Sequence, residues 1–599
     1  MIKDLTNYID SCARFPPRQI YYLLLNRLKK RLPVFSVLSL RRVDGLSKVC
    51  VEIERCRKVA GMLRGAERGG ERRAGERRLP DYLSILDARA GDYFERRSPG
   101  RPRSIDEFFD LGSLEHEAAN NFRRFYMVDR VISARRIPEE AVLGMIKQWI
   151  VSVSRGDDLL SGDSFDTLHR LLNWIFIFGS LPGQFALDDQ TRDLLNRSIK
   201  EQIESAAANL EWHNPGNHVI VQLCLLRVIL FAFGDGEMDL NPWIDELIEV
   251  EIQKQFQPCG FHIEQSFHYH VQVTLSCLYW RAVKRMGGST VGEGVDAVLR
   301  QAGVLIDTLM LTENEYPNVG DACYPFYNYS LLEDIENVRH LRKDLCPPMS
   351  GVGERGAEIV RTSHYVAYRN REDMLLVDVG GMGPSNNPGH AHADLLSFIY
   401  KDDGVVLFID PGTRTYDFGH ESRLLKESAM HNTASIDGCS PARLWRYFRW
   451  ASLPTDVHYR IDDPCEGPSF RLEGSYRGWR WIGDICHRRR FTVDECGLKI
   501  DDFISSGRSC SIGLCFVLHE TIEAVKEEAA VILKSGGKAW RMEFSSSCGH
   551  EVIVDPCFIY KSYNVPVPAR KVFVRCAVKD AELFSMRTRI ERVMQHLGD

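Results

Sequence analysis

Between residues 103 and 345, apolar positions recur at three- and four-residue spacing in FRRFYMVDRVI, AVLGMIKQWIVSV, FDTLHRLLNWIFIFGSL, HVIVQLCLLRVILFAF, YHVQVTLSCLYWRAV and VDAVLRQAGVLIDTLM. That spacing gathers the apolar side chains on one side of a helix, and it predicts a series of helices separated by Pro, Gly and Asp turns. Several runs are apolar nearly all round, as expected of helices inside a multilayered assembly. After residue 355 the pattern becomes short runs rich in β-branched and aromatic residues, such as HYVAYRN, MLLVDVG, IGLCFVLHE and KVFVRCAVK. Turn signals (KDDG, DECG, KSGG) sit between these and similar runs, which predicts an antiparallel β domain, a sandwich of many strands. The fold class expected is α+β and multidomain, with a helical domain over 103–350 and a β domain over 351–599. Residues 1–102 read as a lead-in. Within it RGAERGGERRAGERR (64–78) has almost no apolar content and is expected to be an exposed linker.

Composition narrows the class. Hydrophobic residues are 44% and charged residues 26% of the 599, so the chain can bury a large core and the disordered and collagenous classes are excluded. Net charge is 76 − 82 = −6, which gives no global cationic field for nucleic acid. No stretch reaches the roughly 18 uninterrupted apolar residues of a membrane helix. The first residues, MIKDLTNYIDSCARF, show no apolar signal core or cleavage site, so a cytoplasmic location is expected, with a periplasmic one as the alternative. The 17 cysteines contain no C-x-x-C pair and read as reduced, mostly buried thiols.

Four clusters carry candidate chemistry. EWHNPGNHVIVQL places Asn214, Asn217 and His218 at the start of a very apolar helix, where an asparagine is equally at home as an N-cap. CGFHIEQSFHYHVQV packs His262, Glu264, Gln265, His268, Tyr269 and His270 into nine residues entering another helix. His268 and His270 cannot both face one side of that helix. NNPGHAHADLLSF carries His390 and His392 two apart, followed by Asp410 in VLFIDPGT and His431 in SAMHNTASIDG. Two imidazoles and a carboxylate suit a divalent ion, although separate hydrogen-bonded histidines would leave the same pattern.

Together these stretches resemble the heparinase II/III-type polysaccharide lyases, the superfamily that includes heparin, heparan and some alginate lyases. The resemblance rests on PGNHVIVQLCLL, GFHIEQSFHYH, PNVGDA (317–322), GHAHADLLSFIYKDDGVVLFIDPGT, AMHNTASIDG and HRRRFTV, in the family's order. It implies an N-terminal incomplete (α/α) toroid and a C-terminal antiparallel β-sandwich. It also implies that Asn217 neutralises a uronate carboxylate, with His218 beside it, and that Tyr269 and His390 are the catalytic tyrosine and histidine. Gln222, Glu264 and His270 are expected to contact substrate. His392, Asp410 and His431 look like metal ligands, for a divalent ion, zinc, in a structural role. Several family members carry Glu where this chain has Gln222.

The chemistry implied is β-elimination on an anionic polysaccharide or oligosaccharide that contains uronic acid, leaving a 4,5-unsaturated uronate end. Donors must stabilise charge developing on the carboxylate, a base must reach C5 and an acid must protonate the leaving O4. Basic and aromatic residues in PARLWRYFRW (441–450) and YRGWRWIGDICHRRRF (476–491) suit an anionic sugar, and equally suit strands with solvated arginine faces. Two alternatives stand beside the lyase. One is an inverting hydrolase using Asp321 and Glu264; the other is a non-catalytic protein of surface-polysaccharide metabolism. Neither nucleic acid nor a membrane span is expected as a partner, and an oligomer is left open.

Overall fold

The run NHVIVQLCLLRVILFAF, apolar on every side, becomes a helix with almost every residue buried, and the chain is built around it. A computed structural model describes residues 49–64, 139–154, 163–181, 185–234, 242–322, 331–345, 357–462, 469–528, 530–579 and 583–593, with Gln19, Tyr21 and 123–125. Residues 65–78 of the expected linker and most of the FRRFYMVDRVI stretch lie outside the described residues.

The described helices are α1 (Ile53–Arg64), α2 (Glu139–Ser154), α3 (Ser164–Ser180), α4 (Asp189–Ala208), α5 (Asn217–Phe233), α6 (Pro242–Gln255), α7 (Phe267–Met286), α8 (Glu293–Leu309) and α9 (Leu331–Leu341). Three of these starts are fixed by local chemistry. Asp163, Asp188 and Ser266 accept from the backbone N–H three residues on, at 2.9, 2.7 and 3.3 Å. Helices α5 and α8 start from glycine N-caps, Gly216 and Gly292, with no capping side chain, and Asn217 is the first helical residue of α5. Packing alternates along the chain. Helix α3 lies against α1 and α5, α5 against α7, and α7 against α9, while α4, α6 and α8 each cover the helix before them. Helices α3, α5 and α7, buried nearly all round, thus form an inner layer, and α4, α6 and α8, buried along one side, lie outside them. No described helix is long and apolar enough to cross a membrane.

The remainder is mostly antiparallel sheet, with a short helix at His420–Leu424. Strands β1 (Glu358–Arg361), β2 (Tyr365–Asn370), β3 (Asp373–Asp378), β4 (Phe398–Asp402) and β5 (Val405–Phe408) form a five-stranded sheet in sequence order. An eight-stranded sheet runs β14 (Glu523–Lys526), β15 (Ala530–Ser535), β16 (Lys538–Ser546), β19 (Phe584–Arg592), β12 (Gly497–Ser505), β11 (Ile485–Asp494), β10 (Phe470–Gly478), β9 (Thr455–Asp462). A four-stranded sheet runs β17 (His550–Ser562), β18 (Val565–Val578), β13 (Cys510–Val517), β6 (Ala434–Ile436), and β7 (Arg443–Arg446) pairs with β8 (Arg449–Ser452).

The five-stranded sheet joins the two halves. Side chains alternate across a strand, and here Ala367, Met374, Leu376, Ile399 and Val406 join the helical core. Their neighbours Val366, Leu375, Val377, Phe398 and Leu407 join the core of the other sheets. Polar contacts reinforce the seam. Arg369 donates to Met310 O at 2.9 Å, Lys401 to Leu311 O at 3.0 Å and Asn387 to Pro215 O at 2.7 Å.

Candidate active site

The candidate residues come together at this seam. Ser266 caps α7 so that Tyr269 stands in its first turn, half-buried, among neighbours that are buried. From the β side, the turn at Pro388–Ala391 carries His390. The two rings stack, with centroids 3.8 Å apart and planes 27° apart. Glu264 joins this pair to α5: its Oε1 accepts from the Asn217 backbone N–H at 3.1 Å, and its Oε2 lies 4.0 Å from His390 Nε2. Asn217 itself is buried and its Nδ2 has no hydrogen-bond partner, an unspent donor at the helix start. His218 pairs through Nδ1 with Glu211 at 2.5 Å and lies against the Phe165 ring. Burial works against the charged form of His218, but the hydrogen bond and charge of Glu211 override it and raise its pKa.

Gln222 and His270 are placed elsewhere. Both have no exposed surface. Gln222 Oε1 accepts from the Glu211 backbone at 2.9 Å, while His270 stacks on Phe261 and reaches Ala302 O at 3.1 Å. Both side chains face protein in this structure, whereas contact with substrate was the expectation. Each braces a neighbour instead, Gln222 the segment that carries Glu211 and His270 the base of α7. Glu264 is nearly as buried and serves as the link already described.

Four residues to which the lyase reading gave no role complete it. Tyr416 shares a hydrogen bond with Tyr269, hydroxyl to hydroxyl, at 2.6 Å. Phe448, at the tip of the β7–β8 hairpin, is 38% exposed with its ring 5.7 Å from that of His390. Asp321, in the PNVGDA stretch, accepts from His390 Nδ1 and His392 Nε2, each at 3.0 Å. Lys426 is fully buried and donates to Asp321 at 3.2 Å and to Gly389 O at 2.7 Å. Burial would raise the Asp321 carboxyl, but Lys426 and the two histidines outweigh it and hold the group well below the usual carboxylate range. A carboxylate so enclosed is no general acid, which disfavours the hydrolase that would need it. In the sequence Asp321 stood in the resembling PNVGDA stretch and as a carboxylate of the hydrolase alternative.

A candidate metal centre lies behind His390. Ligand atoms of His392, Asp394 and His431 lie within 4.8 Å of one another, all buried. His392 Nδ1 has no partner. Asp410 reaches the group through His431 Nδ1, 2.9 Å from its Oδ2. His431 and Asp410 would together help to hold an ion, supplying one imidazole nitrogen and one carboxylate. His431 Nε2 meets Leu425 O at 2.8 Å. An orphaned imidazole nitrogen beside buried carboxylates fits a divalent cation. Asp394 thus joins the three residues expected from the sequence. From the HRRRFTV stretch, the buried Arg489 donates to Leu396 O and Asn432 O at 3.0 and 2.6 Å, bracing the segments next to His392 and His431.

The comparisons with known proteins concern the fold. The chain has the fold of the heparinase III-type polysaccharide lyases. It is similar to a crystal structure of heparinase III at 12% identity, covering 91% of this chain and 93% of that one, with a TM-score of 0.63. It is similar to the heparinase III BT4657 gene product at 14% identity, covering 92% and 85%, with a TM-score of 0.56. Heparan sulfate lyase HepC from Pedobacter heparinus gives 12% identity, 91% and 88%, and 0.54. Residues 354–587 match the family model described as Heparinase II/III-like, C-terminal. No curated protein matches the chain in sequence.

Proposed function

We propose that the protein is a polysaccharide lyase that cleaves uronate-containing, anionic chains by β-elimination and leaves 4,5-unsaturated uronate ends. The observation that carries this reading is the Tyr269 ring stacked on His390 at 3.8 Å, with the unspent Asn217 donor joined to the pair through Glu264. The C5 proton of a uronate is too weak an acid while the adjacent carboxylate keeps its charge. Donors that meet the growing negative charge on that carboxylate supply the missing stabilisation. Asn217 Nδ2 has that role, with His218 beside it. Proton abstraction from C5 and protonation of the leaving O4 fall to Tyr269 and His390, whose stacked rings offer two titratable groups on one wall.

The helices, in two layers, support the toroid reading, and the stacked antiparallel sheets support the sandwich. Zinc is the ion proposed for His392, Asp394, Asp410 and His431, whose mixed nitrogen and oxygen donors suit it. When bound, it would supply positive charge that holds the buried carboxylates together and fixes the loop behind His390.

The test is ultraviolet absorbance of the conjugated uronate on incubation with a panel of uronate polysaccharides, wild type beside Tyr269→Phe. Absorbance that rises with the wild type and is lost in the variant supports elimination. New reducing ends without the chromophore would replace this reading with hydrolysis.

A further inference from the structure

Asp321 is held from every side. Its backbone N–H donates to His390 O at 2.9 Å, and its own carbonyl accepts from Ser266 Oγ, the α7 cap, at 2.7 Å. Gly320 before it has φ +68°, and a Cβ there would stand 3.0 Å from His390 O and 3.2 Å from Ser266, so a glycine lets the strands of chain close up. The carboxylate is fully buried and accepts from His390, His392, Lys426, Tyr447 Oη at 3.2 Å and Thr413 Oγ1 at 3.5 Å. The Lys426 ammonium that pairs with it also lies over the Tyr447 ring, 4.3 Å from the centroid.

A carboxylate can only accept, so each imidazole nitrogen facing it carries a proton. His390 faces it with Nδ1, and His392 faces it with Nε2. We propose that Asp321 is a positioning residue that locks these two histidines in opposite tautomers: His390 with a bare Nε2 on the side of Glu264, 4.0 Å away, and His392 with a bare Nδ1 toward the metal centre. The buried, unpartnered nitrogen of His392 is that same Nδ1. One side chain thereby prepares both the proton-transfer group and a metal ligand, since the second nitrogen of an imidazole is set by the bond the first one makes. What His390 does with its bare nitrogen rests on the lyase reading; the tautomers themselves do not.

The deciding experiment is a long-range 1H–15N correlation spectrum of the full-length protein carrying 15N-histidine. It is recorded about two pH units above the ordinary imidazole value of about 6.5. Single His390→Gln and His392→Gln variants assign the signals. The expected pattern is a proton on Nδ1 of His390 and on Nε2 of His392. The same tautomer at both, the reverse pair, or a His390 carrying both protons at that pH would overturn the proposal. In Asp321→Asn, whose amide accepts at one atom and donates at the other, at least one of the two assignments should switch. A switch at His390 should lower kcat at least about a hundredfold with little change in KM, while a switch at His392 should lower metal content. If the variant does not fold, the wild-type spectrum still decides. Absence of elimination on every polymer with the tautomers as stated would fail the lyase reading alone.

Discussion

The hydroxyl groups of Tyr269 and Tyr416, 147 residues apart in sequence, lie 2.6 Å from one another. One phenol must donate to the other, so whichever accepts is stabilised as an oxyanion. Tyr416→Phe removes that partner but leaves the Tyr269 hydroxyl in place. A lost hydrogen bond of about 1–1.5 kcal/mol predicts a fall in kcat of about tenfold. Tyr269→Phe should cost about 10²- to 10⁴-fold, the usual contribution of a positioned acid or base. Steady-state rates of chromophore formation compare the two, and equal losses would show that the tyrosines act as one unit.

Phe448 offers the exposed aromatic surface beside His390. Phe448→Ala is expected to raise KM several-fold, in line with about 0.5–1.5 kcal/mol for an aromatic contact, and to change kcat little. A drop confined to kcat would instead place the ring among the groups that orient His390.

Gly216 has φ +124°, and a Cβ there would fall on Glu264 Oε1. Gly216→Ala should therefore displace Glu264 from the Asn217 N–H, as well as costing about 1–3 kcal/mol in backbone strain. Activity should fall further than the melting temperature suggests, which parallel rate and thermal-melt measurements would reveal.

Buried histidines set an acid limit. Burial pushes His169 and His268 down to about 3, and His270 and His364 down to about 4. The unfolded chain takes these protons first, near pH 6.5. Stability from the neutral rings is thus complete above that value and is lost as pH falls below it, toward the folded values. Each histidine contributes a slope of about 1.4 kcal/mol per pH unit in that window. His218, raised by Glu211, and His431, raised by Asp410, work in the opposite sense, but burial lowers His262 and His487 as well as these four. Denaturant midpoints should drop steeply between pH 6.5 and about 5; a flat profile would contradict neutral burial.

Chelation should lower the melting temperature and leave secondary structure in place, because the proposed ion holds loops and not strands. Elemental analysis before and after treatment, alongside calorimetry, checks this. Complete metal removal with an unchanged melting curve would count against a structural ion.

Much of the frame was legible in the sequence. Helices α5 and α7 stand out because burial on all sides leaves long apolar runs, and β4–β5 and β15–β16 because KDDG and KSGG mark their turns. The outer helices α4 and α6 did not stand out: DQTRDLLNRSIKEQIESAAA shows water a polar face and needs only a thin apolar stripe. In the site, residues on helix ends were readable from the density of His, Asn and Tyr. Which of them line the site was less readable, since Tyr269 and His270 are neighbours in sequence but about 100° apart around a helix. Asp321, Lys426 and Tyr416 sit in irregular segments whose partners are up to 147 residues away, and no periodicity marks such meetings.

The five-stranded sheet shares its residues between two cores, and this has a genetic consequence. The stretch 354–587 resembles a detachable module, yet on its own it would show water the oily flank formed by Ala367, Met374, Leu376, Ile399 and Val406. It would also carry His390 without Asn217 or Tyr269. Recombination that swapped one half for a distant cousin's would have to match both the seam and the chemistry, so the two halves are bound to be inherited together.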